Sequence, residues 1–392
     1  MPDAVIVSAC RTAIGTARKG TLTETDATAL ARAVVDESMQ RTGLSPKDID
    51  DLVLSESLYG GGVIARYVAL EAGLTNVAGL AQNRHCASGL AAVETAAASI
   101  MAGMDHAIIA GGTQSSSTSP VEKKRVIGTT DWADWMSPSH PDSPEAPAFD
   151  MSITVGWNTA KIAGITREDQ DAWALRSHER AIAAIDEGRF VKEIVPIKVT
   201  TSDGSAVVFE VDEHPRRGST MEKLASLKVI HPEIPDFSVT AGNASGINDA
   251  AAAVVITSDG FAADHGLTAL AKVRSWANIG VTPYENGIAP TVAIPKALSR
   301  AGLTVADVDL WEINEAFAVV PIAACKMLDI DPELVNISGS GCSLGHPIAA
   351  TGARMVTTLI YDLQRRGGGI GVASMCAGGG MGAALVIEVA PA

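Results

Sequence analysis

The chain is organised around the stretch Asn83-Arg84-His85-Cys86-Ala87-Ser88-Gly89-Leu90, which places a cysteine just before a long alanine-rich run at 90–101. This run has no proline and one charged residue, Glu94, and its composition predicts a buried helix. Cys86 then lies near the helix N-terminus, where unpaired N–H groups are expected to stabilise a thiolate and lower the thiol pKa. Two interpretations stay open: a nucleophile among small residues, or the structural cysteine that a free thiol more often is.

A cysteine nucleophile needs a base nearby, and His346 is the best of the eight histidines. It stands in a loop of glycines and serines at 338–347, with no apolar periodicity around it. The alternative is a capping histidine before a helix at 349–360. His85 is a second candidate base, but adjacent residues of an extended segment point to opposite faces, so it is poorly placed to reach Cys86.

A second reactive cysteine, Cys376, is followed by Ala377 and three glycines. Such a loop can turn backbone N–H groups toward a carbonyl oxygen, which is how an oxyanion hole is built, and a thiol there can act as acid or base on carbon. The alternative is a core cysteine after a strand at 370–373. Asn314, at the end of a probable strand, could hold a water or donate to an oxyanion, or it could be a helix N-cap.

Composition restricts the class of protein. A chain of 392 residues suggests two or three domains, and 47% hydrophobic residues with 37 glycines and 4% aromatics fit an α/β protein. The net charge of −15 argues against non-specific nucleic-acid binding. Five scattered cysteines fit neither a disulfide framework nor a zinc pattern, so no metal site is expected. No segment approaches 18 apolar residues, and we expect a cytoplasmic protein without membrane insertion.

Strand and helix patterns alternate along the chain, which predicts a parallel-type sheet with helices on both faces. Strands are expected at 4–9, 51–54, 106–112 and 250–256, and helices at 22–42 and 90–101. Residues 113–150 lack either period, whereas 166–188 has helix signals at both ends, with Thr166 as the cap and Gly188 as the stop. The block 113–240 is therefore expected to be an insertion between two core strands, with a binding role.

A weak internal repeat is visible in two ten-residue segments, 41–50 and 300–309. They agree at five positions, namely arginine, glycine, leucine and two aspartates. At the same offset Cys86 falls beside His346. The chain is therefore predicted to contain two copies of one α/β half, with the nucleophile loop of one copy facing the histidine loop of the other.

These motifs together resemble the thiolase family of acyl-CoA C-acyltransferases. The matching segments are 83–89 around Cys86, the 314–318 run from Asn314, 345–347 with His346, 376–382 from Cys376, and 241–249. The resemblance covers essentially the whole chain. It implies a five-layer α-β-α-β-α fold built from two repeated βαβαβαββ halves with an inserted loop (lid) domain. The expected division is 1–118 with 245–265 for the N-terminal half, 119–244 for the coenzyme A-binding loop domain, and 266–392 for the C-terminal half.

The resemblance also implies roles for single residues. Cys86 would become acylated, His346 would activate it and polarise the thioester oxygen, and Cys376 would move the proton on the acetyl α-carbon. Asn314 would hold a water in one oxyanion hole, and the N–H groups of Cys86 and Gly378 would form the second.

Contacts with coenzyme A are likewise implied by the resemblance. They fall on Arg216, Ser245, Ala241, Met151, Ala316 and Phe317. From the residues alone, Arg216 could equally be half of a solvated pair with Arg217. Several positions depart from the family pattern, among them residues 111–117 and Cys342. In particular, His85 replaces an apolar residue, and Asp150 replaces a histidine that often helps bind coenzyme A. Both positions adjoin the acyl and pantetheine pocket, so the acyl group need not be that of acetoacetyl-CoA.

The expected activity is reversible thiolysis of a 3-ketoacyl-CoA to acyl-CoA and acetyl-CoA, or the reverse Claisen condensation, in fatty acid and lipid metabolism such as beta-oxidation. The partners implied are coenzyme A and acyl-CoA as substrates, no permanently bound cofactor, and a second or further copies in a homodimer or homotetramer. Two other readings compete. A ketoacyl synthase would use one cysteine with two histidines, or with a histidine and an asparagine, and lack Cys376; a silent scaffold would lack one of the catalytic residues.

Overall fold

Residues 2–59 and 61–391 are described by the computed structural model of the protein, so the ends of the expected halves at residues 1 and 392 lie outside it. In this part the strands are β1 Ala4–Thr12, β2 Gly15–Thr16, β3 Asp51–Ser55, β4 Leu80–Gln82, β5 Ala107–Gln114, β6 Glu122–Arg125, β7 Trp132–Trp135, β8 Ile194–Val195, β9 Ile197–Thr200, β10 Ala206–Phe209, β11 Asn248–Ser258, β12 Ala271–Gly280, β13 Leu310–Ile313, β14 Gly369–Ala377 and β15 Met381–Val389.

The helices of the same part are α1 Ala27–Thr42, α2 Ile64–Glu71, α3 Ser88–Ala102, α4 Asn158–Ala163, α5 Arg167–Asp186, α6 Met221–Ala225, α7 Asp259–Asp264, α8 Pro290–Ala301, α9 Val319–Leu328 and α10 Ile348–Arg366. A π-helical segment, Ser152–Trp157, leads into α4. A 3₁₀ turn, Pro283–Ile288, precedes α8.

Two sheet halves share one strand order. The first half runs β1-β11-β5-β3-β4 and the second runs β12-β15-β14-β13, and the halves join where Val5 of β1 faces Lys272 of β12. Each half adds its helices in the same sequence, so α1, α2 and α3 correspond to α8, α9 and α10. This order confirms the predicted repeat of one α/β unit.

The repeated ten-residue segments adopt the same local structure. Gly43 and Gly302 end α1 and α8 with φ of 66° and 71°, a left-handed conformation that glycine adopts without steric cost. A 3₁₀ turn follows each helix, Pro46–Asp48 and Val305–Asp307, and each turn is closed by a capping box. The weak sequence match therefore marks equivalent helix ends.

Three hydrophobic cores hold the five layers of the fold together, and the second of them surrounds the middle layer. The first core packs α1 and α2 on one face of the first half, and the third packs α8 and α9 on the outer face of the second half. The second core lies between the halves and contains residues of α3 and α10. Alternation along β11 shows the principle, because Val255 faces the first core and Val254 the second. The predicted five-layer α/β fold is confirmed, with its helix pair α3 and α10 in the middle.

Some boundaries differ from the predictions. Helix α1 begins at Ala27, because the Asp26 carboxylate accepts a hydrogen bond from the Ala29 N–H (2.8 Å) and caps it there. Leu22, where we expected the helix to begin, lies in a turn but is fully buried, which explains its apolar character. Strand β14 extends to Ala377, so Cys376 lies in the strand rather than after it.

The segment between β5 and β11 connects two strands that are antiparallel neighbours. Its 113–150 part contains a hairpin, β6 with β7, that the sequence did not predict because its residues are exposed on both faces and show no alternation. Helix α5 begins after Thr166 as expected, with a capping box to Asp169. The segment is anchored on β1, where fully buried Arg11 pairs with Glu193 (2.6 Å) and Asp212 (2.8 Å).

Candidate active site

Cys86 lies in a tight turn two residues before α3. His85 takes a left-handed backbone conformation, φ 46°, and the Ser88 hydroxyl closes the turn by donating to the His85 carbonyl (2.6 Å) and accepting from the Arg84 N–H (2.7 Å). Cys86 as a whole residue is partly exposed, whereas the other four cysteines are buried, and its sulfur points inward from the turn. A free thiol in a partly exposed turn is accessible to a substrate.

The pKa of Cys86 is raised, and the expectation that the helix start lowers it was wrong. Burial of the thiol raises the pKa, and hydrogen bonds from the backbone N–H groups of Gly378 and of Cys86 itself offset this only in part. The resting group is therefore a thiol, which needs a base to become a nucleophile.

His346 is held at its backbone and at its ring. Its backbone N–H donates to the Asn248 carboxamide oxygen (3.0 Å), and that side chain packs so closely on Gly345, φ 101°, that any Cβ there would overlap it. The imidazole Nδ1 lies 2.7 Å from the Thr351 hydroxyl, which itself donates to the Pro347 carbonyl (2.9 Å). Because the Thr351 hydroxyl proton is used in the bond to Pro347, the Thr351 oxygen must accept a hydrogen bond from Nδ1–H. The lone pair of the imidazole is then on Nε2. Helix α10 is preceded by Pro347, so His346 is not its cap.

Burial lowers the pKa of His346 to about 3, and the nearby Arg354 guanidinium adds to the effect. Arg354 is itself buried against Glu312 and Ser340, so its charge is fixed in place. The imidazole is therefore neutral at any ordinary pH and keeps a lone pair, although the lowered pKa makes it a weaker base than a free histidine.

The Cys86 and His346 loops are brought to one end of the central layer by a close helix crossing. Gly89 lies three residues after Cys86, and a Cβ there would be 2.7 Å from the Ala353 N atom of α10. Gly352 is equally tight against the Gly89 carbonyl carbon, where a Cβ would lie 2.7 Å away. Only glycine at both positions lets α3 and α10 approach this closely, and this approach sets the two loops side by side.

Asn314 follows β13 directly. Its side-chain nitrogen lies 3.4 Å from Nε2 of His346, and its carbonyl oxygen is buried with no hydrogen-bond partner among the described residues. The N-cap alternative is excluded because α9 begins at Val319 with Ala318 before it. An unpaired oxygen beside the catalytic imidazole can accept a hydrogen bond from a water molecule.

The next residue, Glu315, is a structural hub that sequence reasoning missed. Its buried carboxylate accepts hydrogen bonds from Trp173 Nε1 (2.9 Å), Ser177 Oγ (2.6 Å) and the Cys342 N–H (3.0 Å). These donors come from α5 and from the loop before His346. Glu315 therefore holds the Asn314 turn against both neighbouring segments.

Cys376 lies near the end of β14, where it pairs with Gly382 across a hairpin turn. Burial raises its pKa well above that of an ordinary thiol, and the adjacent Cys86 raises it further. The turn contains Gly378, whose N–H reaches the Cys86 sulfur, and Gly379 and Gly380 with positive φ. The hairpin thus brings the second thiol and a backbone donor to the first thiol.

The residues expected to contact coenzyme A fall into two groups. Around the 241–246 loop, the Ser245 N–H donates to the Ala316 carbonyl (3.0 Å) and Ala244 bridges to Phe317, which places these residues beside Ala241. The segment after Met151 reaches the same place, because a Cβ at Gly156 would lie 3.1 Å from the Phe317 ring. Ser245, Phe317 and Met151 are partly exposed, so together they line a surface beside Asn314.

Arg216 is exposed and its side chain has no hydrogen-bond or ion-pair partner among the described residues, whereas Arg217 pairs with Asp186. The structure therefore distinguishes the unpaired Arg216 from the paired Arg217, which the sequence alone does not. Asp150, which replaces the histidine common in the family, accepts from His231 Nε2 (2.8 Å), and His231 Nδ1 also lies 2.8 Å from Glu233.

His85 does not lie in an extended segment, so our reason for setting it aside was wrong. Its ring instead packs toward Gly378, with its Cγ 3.6 Å from where a Cβ on that glycine would lie. Burial lowers the pKa of His85, and His140 of the inserted segment adds to the shift. It is a neutral side chain at the edge of the site.

Within residues 2–59 and 61–391 no group of three or more His, Cys, Asp or Glu side chains is arranged to hold a metal ion. In the same part of the chain, no helix has both the length and the hydropathy needed to cross a membrane.

Fold and site together define the class: an α/β protein of two repeated halves, with a free cysteine at one helix start and a buried histidine at the equivalent start in the other half. Family models agree, since residues 4–260 match the N-terminal domain of thiolase and 267–389 match the C-terminal domain.

Individual relatives cover almost the whole chain. It is 41% identical to an acetyl-CoA acetyltransferase of Escherichia coli, over 99% of both chains. It is 42% identical to the peroxisomal 3-ketoacyl-CoA thiolase 5 of Arabidopsis thaliana, over 98% of this chain and 85% of that protein. The crystal structure of Bacillus anthracis acetyl-CoA acetyltransferase superposes with a TM-score of 0.92 at 41% identity, covering 99% of both. The chain belongs to the thiolase family, and the predicted enzyme class, an acyltransferase, is confirmed.

Proposed function

We propose that the protein catalyses reversible thiolysis of a 3-ketoacyl-CoA through an acyl group on Cys86. The observation that carries this proposal is that Cys376 lies near Cys86 and Asn314 near His346, while the α3–α10 crossing sets the Cys86 and His346 loops side by side. The names of the relatives, acetyl-CoA acetyltransferase and 3-ketoacyl-CoA thiolase, describe the same reaction in its two directions.

In the cleavage direction, Nε2 of His346 takes the proton of the Cys86 thiol. The sulfur attacks the C3 carbonyl carbon, and the carbonyl oxygen becomes an oxyanion held by the N–H groups of Cys86 and Gly378. The C2–C3 bond then breaks, leaving the acyl group on sulfur and the electron pair on C2 of the acetyl-CoA unit. The Cys376 thiol donates its proton to C2, and acetyl-CoA leaves.

The second half of the reaction returns the enzyme to its starting state. The thiol of free coenzyme A gives its proton to the Cys376 thiolate and attacks the acyl carbon on Cys86. The Cys86 sulfur leaves as a thiolate, takes back the proton held by His346, and acyl-CoA is released. The amide of Asn314 would hold the water that, with His346, binds the thioester oxygen of the acetyl unit as negative charge develops there. Condensation uses the same steps in reverse.

We further propose that coenzyme A is a substrate and not a resident cofactor, and that it lies along the surface of Ser245, Ala316 and Phe317. Ala241 and Met151 border that surface, and the unpaired guanidinium of Arg216 would meet the phosphates. Loss of this one charge is expected to raise KM for coenzyme A while kcat changes little.

A homodimer or homotetramer in the cytoplasm, with a part in beta-oxidation, completes the proposal. The alanine-rich stretch 87–104, which we expected near a shared interface, is mostly buried inside the chain as α3, so it does not support assembly. The open edge strand β4 with its exposed Leu80 does, because an unpaired strand edge is a ready partner for a second copy. Light scattering at low protein concentration tests this; a stable, active monomer would refute it.

The activity itself is tested by adding coenzyme A to the purified protein with 3-ketoacyl-CoAs of several chain lengths. We expect consumption of the 3-ketoacyl-CoA that depends on free coenzyme A and yields acetyl-CoA. A folded protein that cleaves none of them, at concentrations up to 1 mM on the usual scale of KM values, would refute the proposal.

A further inference from the structure

Asn286 is a buried amide without hydrogen bonds. It is fully buried in the 3₁₀ turn Pro283–Ile288, and it is the only side chain among the described residues with two buried polar atoms that both lack a partner. Buried amides in folded proteins are nearly always hydrogen-bonded, and leaving one unpaired costs about 1–3 kcal/mol per group. An amide in this state indicates a missing partner.

The turn that carries Asn286 packs directly on the catalytic hairpin. The Val281 N–H donates to the Gly380 carbonyl (2.7 Å), and the Ala289 Cβ lies 2.8 Å from where a Cβ on Gly382 would be. Gly382 is the residue that pairs with Cys376 across the hairpin. Asn286 therefore sits in the wall behind the second catalytic thiol.

On its other side the turn faces the π-helical segment. A Cβ on Gly287 would overlap the Thr159 hydroxyl and would lie 3.1 Å from the Val155 carbonyl oxygen. The Thr159 hydroxyl and the Asn158 carboxamide oxygen are also buried without partners. Because π-helical turns are frequent at functional sites, a group of unpaired polar atoms beside one indicates a space that a ligand completes.

Asn314 supports this interpretation. Its side-chain oxygen is likewise buried and unpaired, and it belongs to the site already described. The same property therefore appears at Asn286, whose turn packs on the hairpin that carries Cys376.

The surroundings of Asn286 are uncharged. Of the two charged side chains on the adjoining turns, Lys161 is exposed over the rings of Trp157 (5.5 Å) and Tyr284 (5.3 Å). The other, Glu285, accepts from the Thr282 hydroxyl (2.6 Å). A buried carboxylate would find no cation here, so the complementary group is a neutral oxygen.

We infer that Asn286 binds an uncharged oxygen substituent, a hydroxyl or a ketone, on the acyl chain of the substrate. The inference rests on the proposed thiolase reaction and specifies its substrate class. An amide offers one donor and one acceptor, which suits a hydroxyl best. The neutral His85 ring at the edge of the site is a second polar group where a purely aliphatic chain would favour an apolar one.

The test compares three 3-oxoacyl-CoA thioesters with six-carbon chains: one unsubstituted, one with a hydroxyl at C5, and one with a carboxylate at C6. We expect the wild-type kcat/KM to be at least about ten-fold higher for the hydroxylated substrate than for the other two. Asn286→Leu should lower kcat/KM for the hydroxylated substrate more than for the unsubstituted one, so that the ratio between the two falls to about one. The control Thr257→Val also removes a buried, unpaired hydroxyl, but at the far end of β11, and should leave the preference intact.

Each outcome is decisive. Equal activity of the wild type on the plain and hydroxylated substrates, or a preference for the carboxylated one, would overturn the inference while the thiolase reaction stands. The wild-type comparison decides this even if the variant fails to fold. A folded Asn286→Leu with a lower melting temperature and equal losses on all three substrates would assign Asn286 to a buried structural water instead, and would also overturn it. Failure of the wild type on all three substrates would count against the thiolase reaction itself.

Discussion

The imidazole of His346 binds a proton only at a much lower pH than a histidine in water does. Its pKa of about 3 follows from burial and from Arg354, and its tautomer follows from Thr351. Both thiols of the site have raised pKa values, so the resting site carries no charge on its reacting groups. We therefore expect proton transfer from Cys86 to His346 to occur during the reaction and not before it.

Because His346 is neutral in the resting site, we predict that the rate of Cys86 acylation is almost independent of pH on the acidic side of neutrality. Because the base acts in its neutral form and its pKa is about 3, the acylation rate should stay level as the pH falls from 7.5 to 5.5. An ordinary histidine would lose most of its activity over that range. In the unfolded chain, His346 binds a proton near the ordinary pKa of histidine. The folded protein therefore loses stability as the pH drops below that value, and circular dichroism must show that it stays folded during the assay. A midpoint near 6.5 in a folded protein would contradict the assignment.

Cys376 and Cys86 are predicted to have separable roles. Cys376→Ser keeps the size but replaces the thiol by a far weaker acid, so proton transfer at carbon should slow by a factor on the order of a hundred or more. Acylation of Cys86 by a simple acyl-CoA moves no proton at carbon and should survive. Exchange of the acetyl α-protons with deuterated water measures the first step directly. Normal exchange in the variant would show that another group, such as His85, moves this proton.

The sequence singles out Cys86, His346 and Cys376 because each stands in or beside a run of small residues, and Asn314 because it ends a strand; their roles stay predictions. The pKa values of these residues could not be predicted from the sequence. The pKa of Cys86 rises because distant segments bury it, and the helix start is only one local influence. Asn248 and Glu315 were missed as positioning residues, since their partners lie far away in sequence.

At the level of single elements, the first turn of α10 orients the base. Thr351 is predicted to fix the imidazole tautomer, so Thr351→Val should lower kcat/KM by about ten-fold or more, the scale of other residues that orient a catalytic imidazole. Thr351→Ser keeps the hydroxyl and should restore most of the activity. Melting temperatures of both variants provide the control. Full activity in a folded Thr351→Val protein would show that the hydroxyl has no orienting role.

The crossing of α3 and α10 is predicted to limit stability. A Cβ at Gly352 would overlap the backbone N of Leu90, which cannot move away as a side chain could. Gly352→Ala should therefore lower the free energy of unfolding by about 2 kcal/mol or more, measured by urea denaturation. Gly260→Ala is the matched control, because no atom lies within 4 Å of its added Cβ. Equal effects of both substitutions would show that the crossing is not tight.

Elements with strong periodicity were predictable, and those shaped by packing were not. Helices α3, α5 and α10 and strands β1, β3 and β11 lie within a few residues of the predicted ranges. The hairpin of β6 and β7 was missed because it has no buried face. The π-helical segment was missed because its hydrogen-bond register depends on contacts with Phe317 and the turn of Asn286, which local sequence does not show.

On the scale of the whole molecule, the site exists only because two equivalent halves meet. Cys86 stands at the start of helix α3 in the first half, and His346 stands at the equivalent start of α10 in the second. Five matching residues in two short segments were enough to predict this repeat. The contact of β1 with β12 that makes the sheets continuous was not predictable, because it joins only two residue pairs.

The measurement that tests the central claim most directly is the mass of the Cys86 peptide after reaction with a 3-ketoacyl-CoA and an acid quench. Trypsin separates the two thiols, since Cys86 lies in the peptide after Arg84 and Cys376 in the peptide after Arg366. We predict the acyl mass on the Cys86 peptide, its loss when coenzyme A is added, and no adduct in Cys86→Ala. An adduct found only on the Cys376 peptide, or an unchanged rate of thiolysis in Cys86→Ala, would contradict the account.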